Sequence, residues 1–215
     1  MSSIEAKQPL LTRDVQIVLA FTLAYLAVAV AGALRTGNAE FIIYIGVMVV
    51  LVGVIGFVHY RVNLTLPALW ALTGWGAAHM AGGLVTVPES WPIHGDIRVL
   101  YSLWLIPERL KYDQVIHAYG FGVTTWVCWQ GLRSVLLQYG PARPTYGLMV
   151  LCAAGGMGFG ALNEVIEFTA TLLVPETNVG GYVNTGWDLV ANLTGTTIAA
   201  TLIVLTGRGS GPATE

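Results

Sequence analysis

His79, Asp113, His117, Glu164, Glu167 and Asp188 are the residues of this chain best suited to chemistry, and all lie in or beside long apolar stretches. A charged side chain at the centre of a bilayer costs about 2.5 to 3.5 kcal/mol on insertion scales, so such groups face a protein interior, find partners and mark functional sites. Asp113 and His117 are four residues apart in KYDQVIHAYG, Glu164 and Glu167 three apart in NEVIEF, and Asp188 and Asn192 four apart in GWDLVANLTG. Each spacing puts the pair on one helix face. Imidazole nitrogen and carboxylate oxygen together make a mixed ligand set for a divalent metal such as Zn, Mn or Fe. A metal on His79, Asp113, His117, Glu164, Glu167 and Asp188, or on some of them, would activate water or polarise a carbonyl or phosphoryl oxygen. A carboxylate outside the ligand set, Glu164 or Glu167, would then act as the catalytic base.

Each group also has a structural reading. Asp188 follows Thr185 by three residues and suits a capping box, Asp113 suits the positive end of a helix, and His79 alone suits a hydrogen-bonded core histidine. The two glutamates lie well past the start of their helix, where neither explanation applies. Four carboxylates gathered in one place repel unless protons or cations intervene. Two divalent ions would balance them; with one ion, Arg109, Lys111 or shared protons must offset the rest.

The elements that position these residues follow from composition. The chain has 215 residues, 55% of them hydrophobic and only 10% charged, with a mean hydropathy of +0.67. Those values define an all-α, polytopic membrane protein. A hydrocarbon core about 30 Å thick takes about 20 apolar residues per helix, and six stretches qualify, at about 14–34, 40–58, 65–83, 112–138, 145–173 and 186–206. Residues 1–215 thus read as a single integral membrane domain. The first stretch is longer than a signal-peptide core and is expected to be retained. Glycines four apart, Gly156 and Gly160 in AAGGMGFGA, permit close helix packing.

Because alternate helices run in opposite directions, His79 late in the third, Asp113 and His117 early in the fourth, the glutamates late in the fifth and Asp188 early in the sixth all lie toward one membrane face. Counting Lys and Arg, Lys7, Arg13, Arg61, Arg133, Arg143 and Arg208 fall on the N-terminal side against Arg35, Arg98, Arg109 and Lys111 on the other. That asymmetry favours a cytoplasmic N-terminus. The segment 84–111 is a long interfacial loop over the site, with Trp91, Tyr101 and Trp104 at headgroup depth, and reads either as an ordered lid or binding element or as a flap that shields the helix ends. His59 reads as an interface residue at the opposite face and His94 as a solvated loop histidine. Cys128 and Cys152 have no CxxC spacing and read as two buried thiols. A formal net charge of -2 without a basic run excludes nucleic acid as a partner.

HMAGG at 79–83, YDQVIHAYGFG at 112–122, NEVIEF at 163–168 and GWDLVANLTG at 186–195 resemble the uncharacterised bacterial inner-membrane family exemplified by YjdF. The terminal helix is also similar to VanZ-like proteins. The resemblance implies six helices, a shared polar site and a bacterial inner-membrane location, without a reaction. Asn192 stands where that pattern calls for an acidic residue. Three functions fit the residues: a metal-dependent enzyme acting on a lipid or lipid-linked substrate, an accessory or structural subunit with partner membrane subunits, and an ion- or proton-coupled transporter. The last is poorly supplied, since the far halves of helices four and five offer mainly Cys128, Gln130, Cys152 and glycine.

Overall fold

The computed structural model describes residues 11–175, 177 and 179–208. Six α-helices make up nearly all of it: α1 (Arg13–Thr36), α2 (Ala39–Val62), α3 (Leu66–Leu84), α4 (Tyr112–Leu136), α5 (Tyr146–Leu173) and α6 (Tyr182–Arg208). The helix starts are chemically marked. Thr12, Asn38 and Thr145 accept from the backbone N–H three residues on, satisfying donors that the first turn leaves open. Pro67 sits in the first turn of α3, where its missing N–H costs nothing. Gln114 reaches back to accept from the Lys111 N–H at 3.0 Å and closes the start of α4. Gly37 ends α1 in the left-handed region at φ 66°.

Four helices, α1, α2, α5 and α6, are long and apolar enough to cross a membrane. Their outer faces expose Leu23, Val28, Val50, Phe57, Val165, Leu172, Leu202 and Leu205, as expected for surfaces whose solvent is hydrocarbon. The six expected spans are present as helices, but α3 and α4 fall short in apolar character. For α4 the reason lies in its position: it packs against α2, α3, α5 and α6, so most of its surface meets protein rather than lipid. Close approach of α4 and α6 depends on Gly195, where any Cβ would run into the Ala118 backbone. One apolar core joins Leu26, Phe41, Met48, Met80 and Ala170; another, of Trp129, Met149, Cys152 and Val204, fills the far ends of α4, α5 and α6.

The segment between α3 and α4 has secondary structure of its own. It contains a 3-10 turn (Leu100–Ser102) and an antiparallel hairpin of β1 (Trp104–Ile106) and β2 (Leu110–Lys111). Bridges join Thr86 to Val99 and Ile93 to Leu103, and the Arg98 guanidinium donates to the carbonyls of Pro88 (2.5 Å) and Trp91 (2.9 Å). Trp91 is exposed. Tyr101 instead turns down onto α3, its ring lying where a Cβ on Gly82 would be. His94 packs edge-on to Trp104 within the same segment.

Candidate functional site

The cluster forms where α3 ends and α4 begins, with α5 ending and α6 starting at the same level. His117, 4% exposed, is its centre. From its own helix Asp113 Oδ1 lies 3.6 Å from Nε2; from α5, Glu167 Oε1 lies 3.8 Å from Nε2 and Glu164 Oε1 lies 3.6 Å from Nδ1. Asn192 on α6 completes the ring, with its Oδ1 3.1 Å from His117 Nδ1. Two sets of donors share the histidine, one with Asp113 and Asp188 and one with Glu164 and Glu167, each set lying within 4.8 Å. The helix spacings explain the convergence: i,i+3 and i,i+4 pairs turn both members inward, and antiparallel neighbours bring the three faces to one depth.

Lys111 is the cation in contact with this cluster among the described residues. Its ammonium lies 3.4 Å from Asp113 Oδ2 and also donates to Asn184 Oδ1. Asn184 in turn donates to Asp188 Oδ2 at 2.5 Å, and Asn163 donates to Glu167 Oε1 at 2.7 Å. Some atoms are left over: Asp188 Oδ1, Glu164 Oε1 and Asn192 Nδ2 are buried without a hydrogen-bond partner. Asp188 and Asn192 are both fully buried, where a polar atom without a partner is costly.

His79 is near the cluster but belongs to neither donor set. Its Nδ1 meets the Tyr101 hydroxyl at 2.5 Å, and the same hydroxyl donates to the His79 carbonyl at 3.0 Å. Its ring packs among Tyr44, Trp75 and Tyr101. Burial, then the Asp113 carboxylate, pushes the Tyr101 phenol well above its ordinary range, so it remains an O–H donor. A cavity of about 20 Å³ is lined by residues of α2, α3 and α5, among them Tyr44, Leu51, His79, Asn163, Ile166 and Glu167. That volume holds about one water. Tyr44 also donates to Glu40 at 3.1 Å.

The capping reading of Asp188 does not hold, because α6 already begins at Tyr182. Asp113 is in the first turn of α4, so its electrostatic role at a helix start and its place in the cluster coexist. Arg109 sits in the hairpin turn, and the offsetting role falls to Lys111. His59 is buried at the end of α2 distant from the site. Asn163, Asn184, Tyr44 and Tyr101 are site residues that spacing did not single out. For Asn184 and Asn163 a signal existed, since each precedes an acidic residue by four on the same helix.

Six helices, lipid-facing apolar surfaces and an internal polar cluster define an integral membrane protein. The chain belongs to the family described as "Predicted membrane protein (DUF2238)", whose model matches residues 17–209. No curated protein and no solved structure matches it.

Proposed function

We propose that the cluster binds a divalent cation, Zn, Mn or Fe, and that the protein is a membrane-embedded, metal-dependent enzyme acting on a lipid or lipid-linked substrate. The observation that carries this reading is the pair of buried carboxylate oxygens, Asp188 Oδ1 and Glu164 Oε1, without hydrogen-bond partners in the two donor sets around His117. The separations agree with it. At 3.6 and 3.8 Å the His117 contacts are too long for hydrogen bonds, whereas two ligands of a tetrahedral metal with bonds of about 2.1 Å lie about 3.4 Å apart. One ion and Lys111 would neutralise all but one of four ionised carboxylates. A carboxylate not used as a ligand would supply the base.

The apolar side chains of Val47, Leu51 and Ile166 that line the small cavity beside Glu167 and His79 suit a substrate that arrives through the lipid. In this reading the protein lies in a bacterial inner membrane, as the YjdF-type resemblance implies, and the Lys and Arg asymmetry puts its N-terminus in the cytoplasm and its site toward the outer leaflet. Elemental analysis of protein purified without chelator tests the proposal. About one equivalent of metal, lost with a fall in stability on chelation, is expected; metal-free protein indifferent to chelator would sink it.

An accessory-subunit role is supported by a different observation: the hydrogen-bond chain Lys111, Asn184, Asp188 ties the hairpin to α6, as a purely structural lock would. Transport has less to rest on, because Trp129, Met149, Cys152 and Val204 pack the far end with apolar groups.

A further inference from the structure

Each imidazole near the site has one nitrogen occupied by a neighbour of defined hydrogen-bonding capacity. Asn192 places its Oδ1, an acceptor only, 3.1 Å from His117 Nδ1; Glu164 Oε1, also an acceptor, faces the same nitrogen from 3.6 Å, beyond hydrogen-bond reach. The Tyr101 phenol has a single hydrogen, and of its two neighbours the His79 carbonyl at 3.0 Å can only accept it, whereas an imidazole nitrogen can donate instead. The phenol oxygen can then only accept from His79 Nδ1, 2.5 Å away. In both rings the proton of the neutral imidazole is therefore drawn to Nδ1, and Nε2 carries the lone pair. For His117 that lone pair faces Asp113 Oδ1 and Glu167 Oε1, an arrangement of three acceptors that a cation resolves. For His79 the ring borders the one-water cavity shared with Glu167, Asn163 and Tyr44.

We infer that Asn192 and Tyr101 are positioning residues that lock both histidines as Nδ1–H tautomers, so that His117 Nε2 is a metal ligand and His79 Nε2 accepts a hydrogen bond from a water held beside Glu167. The metal half rests on the proposed function; the tautomers do not. This gives the non-acidic Asn192 a specific task. Metal-binding histidines characteristically have the second ring nitrogen fixed by an acceptor, and a carboxylate in its place would add a fifth negative charge. It also gives the segment between α3 and α4 a role in the site, because Tyr101, in its 3-10 turn, reaches His79 from outside the six helices. Gly82 makes room for the Tyr101 ring and Gly160 for the Asn192 amide, so both supports are built into the backbone.

The test is nitrogen NMR of the full chain, labelled at its 4 histidines, in lipid nanodiscs at about pH 8.5, about two units above the ordinary imidazole pKa. Both His79 and His117 should show protonated Nδ1 and unprotonated Nε2, and titrated Zn2+ should move His117 Nε2. Tyr101→Phe should release the His79 tautomer alone. Asn192→Leu should release His117 and weaken zinc about 10- to 100-fold, while Asn192→Asp, which still accepts from Nδ1, should keep both tautomer and binding. An Nε2–H tautomer at either ring in the wild type overturns the inference even if zinc binds. Zinc affinity unchanged in a folded Asn192→Leu overturns it too. If zinc fails to bind while both tautomers are as stated, the locking stands and the metal proposal falls.

Discussion

Replacing Lys111 by methionine keeps the length of the side chain and removes the charge that faces the cluster. Lys111 is 6% exposed, and its ammonium lies 3.4 Å from Asp113 Oδ2 with side chains 8% and 14% exposed. At that separation, with an effective dielectric of about 20, the attraction is about 5 kcal/mol. Removing one partner of a buried pair costs about 3 to 5 kcal/mol, because the other is left uncompensated. The substitution also strips Asn184 of its donor, loosening the amide that holds Asp188. In the presence of chelator, equilibrium unfolding in mixed micelles should therefore show Lys111→Met less stable by about 3 to 5 kcal/mol. Combining it with Asp113→Asn should recover a large part, since both members of the pair are then neutral and the cycle measures their coupling. A loss under about 1 kcal/mol, the range of exposed pairs, with no coupling in the cycle, would refute the view that Lys111 offsets the cluster.

Three further outcomes are expected. Gly195→Ala should cost about 1 to 3 kcal/mol or more by thermal unfolding, since its Cβ meets Ala118 backbone; Gly131→Ala on α4, with open space around it, should be neutral or stabilising. For Tyr101, the folded protein holds the phenol proton more tightly than the unfolded chain does. Its contribution should be constant below about pH 10, where both states keep the proton, and fall above that as the unfolded phenol ionises; Tyr101→Phe should flatten that alkaline loss. Gly160→Ala should displace the Asn192 amide packed against that glycine and release His117 from its Nδ1 contact, measured by the same nitrogen spectra.

Much of the fold was legible because membrane helices are written in one dimension. Runs of apolar residues mark α1, α2, α5 and α6, and the breakers around Gly37, Asn63 and Pro144 mark their joints. The i,i+3 and i,i+4 pairs on α4, α5 and α6 identified the residues that now surround His117. The hairpin at 104–111 was not legible, since strands of three and two residues are too short to show an alternating pattern. Asp188 was open to a capping reading only because the start of α6 at Tyr182 could not be placed from its polar, glycine-rich approach.

Composition and spacing by themselves determined that this chain lies in a membrane and carries acidic and histidine side chains at one depth, because hydropathy and helical period are local properties. Tertiary structure decided which of them meet. The rotation of each helix about its axis and the close approach allowed at Gly195 and Gly160 set the interhelical distances, and those choose Lys111, Asn184 and Asn192 as partners of the cluster. They also separate His79 from the donor sets and give it to Tyr101, a pairing across 22 residues that no helical repeat encodes.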